Sequence, residues 1–298
     1  VDLILSSISQ GLLWSIMAIG VYLTFRILDI ADLTAEGAYP MGAAICATGI
    51  VNGMNPLLAT LLAFVGGMLA GLISGLLHTK MKIPALLTGI VTLTGLYSIN
   101  LKILGKANVA LLRQHTLVSQ LQKMGWSKTY AVLLIGAIFV VSVIVLLTLL
   151  LNTQVGLALR STGDNIPMSE ANGINVDKMK IYGYMLSNGL IALCGALLTQ
   201  NNGYADLNSG TGTIVIGLAS VIIAEVILRN LRIGWRLASV VLGSVIYRLI
   251  ILAILEIPGM DADLVKLFSA TLLALVLFVP ELQKKWQIRK PNLSEKSA

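Results

Sequence analysis

The chain has 298 residues, of which 56% are hydrophobic and 12% charged, with a net charge of +7 and a mean hydropathy of +0.87. A soluble domain carries about 25% charged residues, so this composition excludes a soluble enzyme or a nucleic-acid-binding domain. It points instead to an all-α, polytopic transmembrane helical bundle whose positive charge belongs to membrane-flanking loops.

About nine membrane segments are expected, at 4–25, 37–52, 56–77, 83–104, 129–152, 179–200, 212–229, 235–255 and 263–280. Most approach the ~20 residues that cross a hydrocarbon core. The first lacks a charged n-region and a cleavage site, so it reads as a span and not a signal peptide. The second is short and follows DIADLTAEGAYP, in which Asp29, Asp32 and Glu36 stand close to a Gly and a Pro. Two readings fit: a kinked, partly buried entry to a pathway, or an ordinary cytoplasmic loop.

In the third segment Gly67, Gly71 and Gly75 share nearly one helix face, where a second backbone can approach closely. That partner is a helix of the same subunit or of a second copy. The fourth segment is unusually polar, with Thr88, Thr92, Thr94 and Asn100; Thr88 and Thr92 share a face. These hydroxyls line a translocation pathway or bond the carbonyls one turn back. Ser187 and Asn188 stand near mid-depth in the sixth segment, where an amide needs a partner. Arg248, halfway along the eighth, calls for a protein interior or a wet cavity and a counter-ion. Glu225 is displaced from it by about 12 Å in depth, which leaves Asp29, Asp32 or Glu36. The candidate pathway residues are therefore Glu36, Thr88, Thr92, Asn100, Asn188 and Arg248. Cys46 and Cys194 lie inside apolar runs, and His78 and His115 occupy separate loops, so neither a disulfide nor a metal site is expected.

Alternating the segments backward from the C-terminus places 14 Lys and Arg residues on one side and four on the other, with three inside segments. The positive-inside rule then predicts a cytoplasmic C-terminus. The acidic stretch at 256–263 and the NNGYADLNSGTG stretch at 201–212 fall outside, and nine full crossings would put the N-terminus outside too. The basic tail at 284–298 is expected along anionic membrane lipid.

On the cytoplasmic side lies STGDNIPMSEANGIN, residues 161–175, a polar island within an apolar chain. Asp164 and Asn165 are good helix-start residues, Pro167 suits a first turn, and Gly173 is a natural stop. A helix of about two turns is expected here, as a solvated connector or as a knob gripped by another protein.

The run GLALRSTGDNIPMSEANGINVDKMKIYGYMLSNGLIALCGALL at 156–198, together with FRILDIADLTAEGAYPMGA at 25–43, resembles the permease subunits of binding-protein-dependent ABC importers. That family includes the branched-chain amino acid and ribose permeases, and the likeness is nearest to permeases of Gram-positive bacteria assigned to tryptophan or tyrosine uptake. One stretch departs from the branched-chain pattern: where a Gly-rich turn is usual, this chain has EVILRNLRIGW at 225–235.

The resemblance implies a transmembrane permease domain at 1–283 with a cytoplasmic coupling loop at 153–178. Within that loop Gly163, Asp164, Asn165, Pro167, Met168, Glu170, Ala171 and Gly173 would form the coupling helix that docks on a cytoplasmic ABC ATPase. It further implies an extracytoplasmic substrate-binding lipoprotein, a permease homodimer or a heterodimer with a related permease, and a bacterial plasma-membrane location. No P-loop occurs: Lys106 follows Gly105, but Asn100 stands where the first glycine belongs and Ala107 where Ser or Thr belongs. The chain is thus expected not to be an enzyme and to carry no cofactor, with ATP and Mg on the partner ATPase. The implied activity is ATP-driven import of a small solute, an amino acid such as tryptophan or tyrosine, by alternating access. A secondary transporter driven by an ion gradient is the competing reading; it predicts two matching interrupted helices, and the sequence displays one, near residue 36.

Overall fold

The computed structural model describes residues 2–256 except 113, 229 and 230, together with several positions between 267 and 278. The tail at 284–298, the acidic loop beyond Glu256 and half of the ninth expected segment lie outside these residues.

Helix α1 (Asp2–Tyr22) runs into a π-helical turn, Leu23–Ile27, and the chain then leaves helical geometry until α2 (Ala35–Val51). Next come α3 (Pro56–Thr79), α4 (Ala85–Leu104), the short strand β1 (Asn108–Ala110), α5 (Leu117–Lys123) and α6 (Lys128–Leu151). The polar region folds as α7 (Gln154–Asp164) and α8 (Ile166–Ala171). The chain returns through α9 (Val176–Asn202), β2 (Tyr204–Asp206), a 3-10 turn at Leu207–Gly210, α10 (Thr213–Ile227) and α11 (Ile233–Leu255).

Seven helical stretches among the described residues are long and apolar enough to cross a membrane. The expected count of about nine is not reached. Helix α2, with 17 residues, extends only about 26 Å at 1.5 Å per residue, and half of the positions at 263–280 lie outside the described residues. The ends are set by local chemistry. Asn55 caps α3 by accepting from Leu57 N–H at 2.9 Å, with Pro56 in the first turn. Gly105 and Gly203 terminate α4 and α9 in the left-handed region, at φ 69° and 79°.

The centre of the bundle is α9, flanked by α1, α2 and α3. Small residues on α2 and α3 make this possible: a Cβ on Gly42 would fall on the Ala192 carbonyl, and one on Gly71 on the Tyr184 carbonyl. A single hydrophobic cluster links α1, α6, α9 and α11 around Leu13, Met17, Tyr184 and Leu237. At the periphery, α4 leaves most of its face uncovered.

The two ends of the bundle differ. At one end α7 packs beside the π turn, with α8 against α7 and α9. At the other, β1 and β2 form an antiparallel ribbon that pairs Val109 with Ala205. The sequence reading contained no strand here.

Candidate translocation site and coupling surface

The break between α1 and α2 is held by backbone bonds into the π turn, such as Ile30 N–H to the Thr24 carbonyl at 2.9 Å, and then by side chains. Asp29 takes a positive φ of 54°, and three residues later Asp32 is 4% exposed. Its Oδ1 accepts from Thr34 N–H at 2.9 Å and its Oδ2 from Asn188 Nδ2 at 2.7 Å. The Thr34 and Ser74 hydroxyls meet at 2.8 Å, so α3 joins the same cluster. The amide of Asn188 thus has the partner that its depth demands, and neighbouring Ser187 donates to the Gly20 carbonyl at 2.7 Å. Beside them, Asn188 Oδ1 and Tyr184 Oη are buried without a hydrogen-bond partner among the described residues. Each such atom costs about 1–3 kcal/mol.

Four residues further on, Glu36 opens α2 beside a cavity of about 440 Å³, within the ~300–1,000 Å³ range of ligand sites. Its walls come from α2, α4 and the 3-10 turn: Glu36, Gly37 and Pro40; Leu93, Thr94, Tyr97, Ser98 and Asn100; Leu207, Asn208 and Thr211. Glu36 Oε1 accepts from Gly212 N–H at 2.9 Å. Asn100 is fully buried and donates to the Gly37 carbonyl at 3.1 Å, while its Oδ1 has no partner among the described residues.

Glu36 and Asn100 are therefore brought together, but Thr88 and Thr92 are not part of this lining. Both are buried and bond nearby carbonyls, Thr88 to Ile83 at 3.3 Å and Thr92 to Thr88 at 2.9 Å. The hydroxyl-bearing wall residues on α4 are instead Thr94, Tyr97 and Ser98. The sequence also concealed a second interruption. The chain from Tyr204 to Gly212 leaves α-helical geometry and packs against the start of α2, where Gly210 lies on the Glu36 carbonyl.

Arg248 differs from expectation. The ion pairs among the described residues are Arg26 Nε–Glu225 Oε1 at 2.6 Å and Lys80 Nζ–Asp177 Oδ2 at 3.6 Å. None of Asp29, Asp32 or Glu36 pairs with Arg248. Its guanidinium lies 4.7 Å from the centre of the Trp14 ring, and Trp14 stacks on Tyr39 with centroids 5.5 Å apart. The ring face supplies the negative potential that a carboxylate was expected to provide.

At the other candidate surface, Asn165 separates two helices. Its side chain accepts from Met168 N–H at 3.0 Å and caps α8, with Pro167 in the first turn. Gly173 follows at φ 77°. The expected single helix thus becomes a pair, because Thr153 starts α7 a full eleven residues earlier. Asp164 is the last residue of α7 and not a cap. Gly163, expected in the coupling helix, lies inside α7, where a Cβ would overlap the Ile27 carbonyl at the end of the π turn. Ser169 Oγ donates to Ser161 Oγ at 3.2 Å and clips the two helices together. Ile166, Pro167, Met168, Glu170 and Ala171 remain exposed, Met168 by 64%.

Comparison with known proteins gives this geometry a family. Residues 3–277 match the family described as the permease component of the branched-chain amino acid transport system. The chain belongs to that family. It is similar to the tyrosine transport system permease protein of Clostridioides difficile, with 40% identity over 290 residues, 97% of this chain and 94% of the relative. It is 32% identical over 282 residues to an uncharacterized protein of Rickettsia prowazekii, covering 93% of this chain and 96% of that protein. At 26% identity over 226 residues, 75% of this chain and 61% of the relative, it is similar to an autoinducer 2 import system permease protein of Yersinia pseudotuberculosis. No solved structure matches it.

The chain is therefore a multi-pass membrane permease component of an ABC-type transport system, a family that works with ATPase and binding-protein partners. Within this permease the glycine stripe packs internally. Cβ atoms on Gly67, Gly71 and Gly75 would all strike α9, at Asn188, Tyr184 and Ile181 respectively. Two pairings were not legible beforehand: Arg26 with Glu225, and Asp32 with Asn188. The second leaves a faint signal, since a buried amide and a carboxylate in a broken segment each need a partner.

Proposed function

We propose that this chain imports an amino acid of the tyrosine or tryptophan class, driven by ATP hydrolysis on two partner ATPases gripping α8. The observation that carries this reading is the exposed, capped α8 locked through α7 onto the π turn of α1. A helix of this kind transmits displacement as a rigid body, and Gly163 lets α7, to which α8 is clipped, bear directly on the Ile27 carbonyl. Motion at α8 would thereby reach the Asp32–Asn188 cluster at the start of α2. The named relative transports tyrosine, which supports the solute class.

In this reading the end carrying α7 and α8 is cytoplasmic, as is the C-terminus. Arg26, Lys80, Lys82, Arg160, Lys178, Lys180, Arg232 and Arg236 gather at that end, as the positive-inside rule requires. The ribbon end receives solute from an extracytoplasmic binding lipoprotein. Two copies of the permease enclose the pathway, and ATP and Mg belong to the ATPases, since this chain lacks a P-loop. The second interruption at 204–212 is a feature that an ion-driven transporter would share, but membership of an ABC permease family weighs against that reading.

The test is affinity purification of the tagged permease from its own host in mild detergent, beside a variant carrying Asp164→Arg and Glu170→Arg. A P-loop ATPase that accompanies the wild type and is lost from the variant supports the reading. A permease that purifies alone in both cases overturns it.

A further inference from the structure

The cavity beside Glu36 has a chemistry that the family assignment does not specify. We infer that it binds the primary ammonium group of the transported solute, with the Glu36 carboxylate and the Asn100 carbonyl oxygen as acceptors. This rests on the importer reading for the solute's identity but not for the site's chemistry.

Two atoms make the case. Glu36 commits only Oε1, to Gly212 N–H, and its other oxygen has no hydrogen bond among the described residues. Asn100 commits its Nδ2 to the Gly37 carbonyl, which fixes the amide and leaves Oδ1 as a buried acceptor without a donor. One free anionic oxygen on the wall, with an unpaired amide oxygen sealed just beneath it, selects a ligand group rich in N–H and positively charged. No Lys or Arg lines the cavity to compete for them.

The remaining walls suit the rest of such a molecule. Pro40, Leu93, Tyr97 and Leu207 present apolar and aromatic surface. An organic amine therefore fits better than a hydrated metal ion, which asks for a shell of oxygens. The site sits where two interrupted stretches meet, so its occupancy is tied to the packing of the 3-10 turn against α2.

The experiment measures binding to the full chain in nanodiscs with three probes of one ring: L-tyrosine, tyramine and 3-(4-hydroxyphenyl)propionate. Tyrosine and tyramine are expected to bind, and the propionate, which lacks nitrogen, is not. Glu36→Gln keeps an acceptor for Gly212 N–H and should lower tyramine affinity about tenfold or more, the loss of one charge-assisted hydrogen bond. Asn100→Leu is the second variant, with a smaller loss expected, and an unchanged melting temperature certifies the fold of each. Binding of the propionate as tight as that of tyramine, no loss in Glu36→Gln, or no binding of any probe would each overturn the site. Amine binding without a co-purifying ATPase would sink the importer reading and leave the site standing; an ATPase without amine binding would do the reverse.

Discussion

Glu36 and Gly212 are 176 residues apart in sequence, yet the carboxylate of the first accepts the N–H of the second at 2.9 Å. One side chain at the start of α2 thereby serves the start of α10, where helix geometry leaves N–H groups unpaired. Glu36→Ala should destabilise the permease by about 1 kcal/mol, the usual loss of a cap. Glu36→Gln, which keeps an acceptor, should stay near wild type. Thermal unfolding in detergent checks both; equal losses would show that the hydrogen bond is not what matters.

The seam between α3 and α9 tolerates no added atoms. Gly71→Ala places a methyl on the Tyr184 carbonyl, which belongs to backbone and cannot swing aside. A loss of about 1–3 kcal/mol is expected from overpacking of this kind, read as a lower melting temperature. Gly95→Ala is the control: nothing stands within 4 Å of its added carbon, and a helix interior favours alanine. If the two variants melt alike, backbone proximity at Gly71 is not the constraint.

Trp14 and Arg248 should prove energetically coupled. Trp14→Leu strips the ring from beneath the guanidinium and should cost several kcal/mol, while Arg248→Leu alone removes a charge that has no carboxylate partner among the described residues. Their double-mutant cycle is expected to return about 1–2 kcal/mol of favourable coupling. A coupling near zero, measured by denaturation of the four proteins, would mean that Arg248 draws its stability from elsewhere.

Asp32 offers a fourth check. Asp32→Ala leaves one N–H of the Asn188 amide, whose other bond goes to the Tyr184 carbonyl, and the Thr34 N–H without their acceptor, for a loss of about 1–3 kcal/mol. The additional change Asn188→Leu should recover part of it, because both polar partners are then gone. Failure of the second change to help, in the same unfolding assay, would count against the pairing.

Much of this architecture is legible in the residues. Apolar runs mark the spans, and Asn165, Pro167 and Gly173 mark the ends of α8, because caps and turns are local chemistry. What eluded the reading is non-local. A cation–π contact has no charge signature, so Arg248 suggested a carboxylate. Gly163 stands among the residues expected in the coupling helix, and nothing local announces the Ile27 carbonyl beside it. The interruption at 204–212 is masked by NNGYADLNSGTG, which reads as an ordinary loop. Helix α7 hides because its residues are polar enough to pass for coil. For the candidate site, Glu36 and Asn100 stand out as polar residues beside apolar runs, whereas the inertness of Thr88 and Thr92 depends on which way their helix faces.

The ribbon has a consequence for the interior. Leu207 N–H bonds the Ala107 carbonyl and Leu111 N–H the Gly203 carbonyl, so the links after α4 and α9 are stitched together. From Asp206, the last ribbon residue, only four positions lead to Gly210 on the Glu36 carbonyl. There is little slack chain between them to absorb a displacement. A protein that lands on this end and tilts the ribbon would therefore tug on the first turn of α2, turning a touch at the rim into a change in the shape of the cavity.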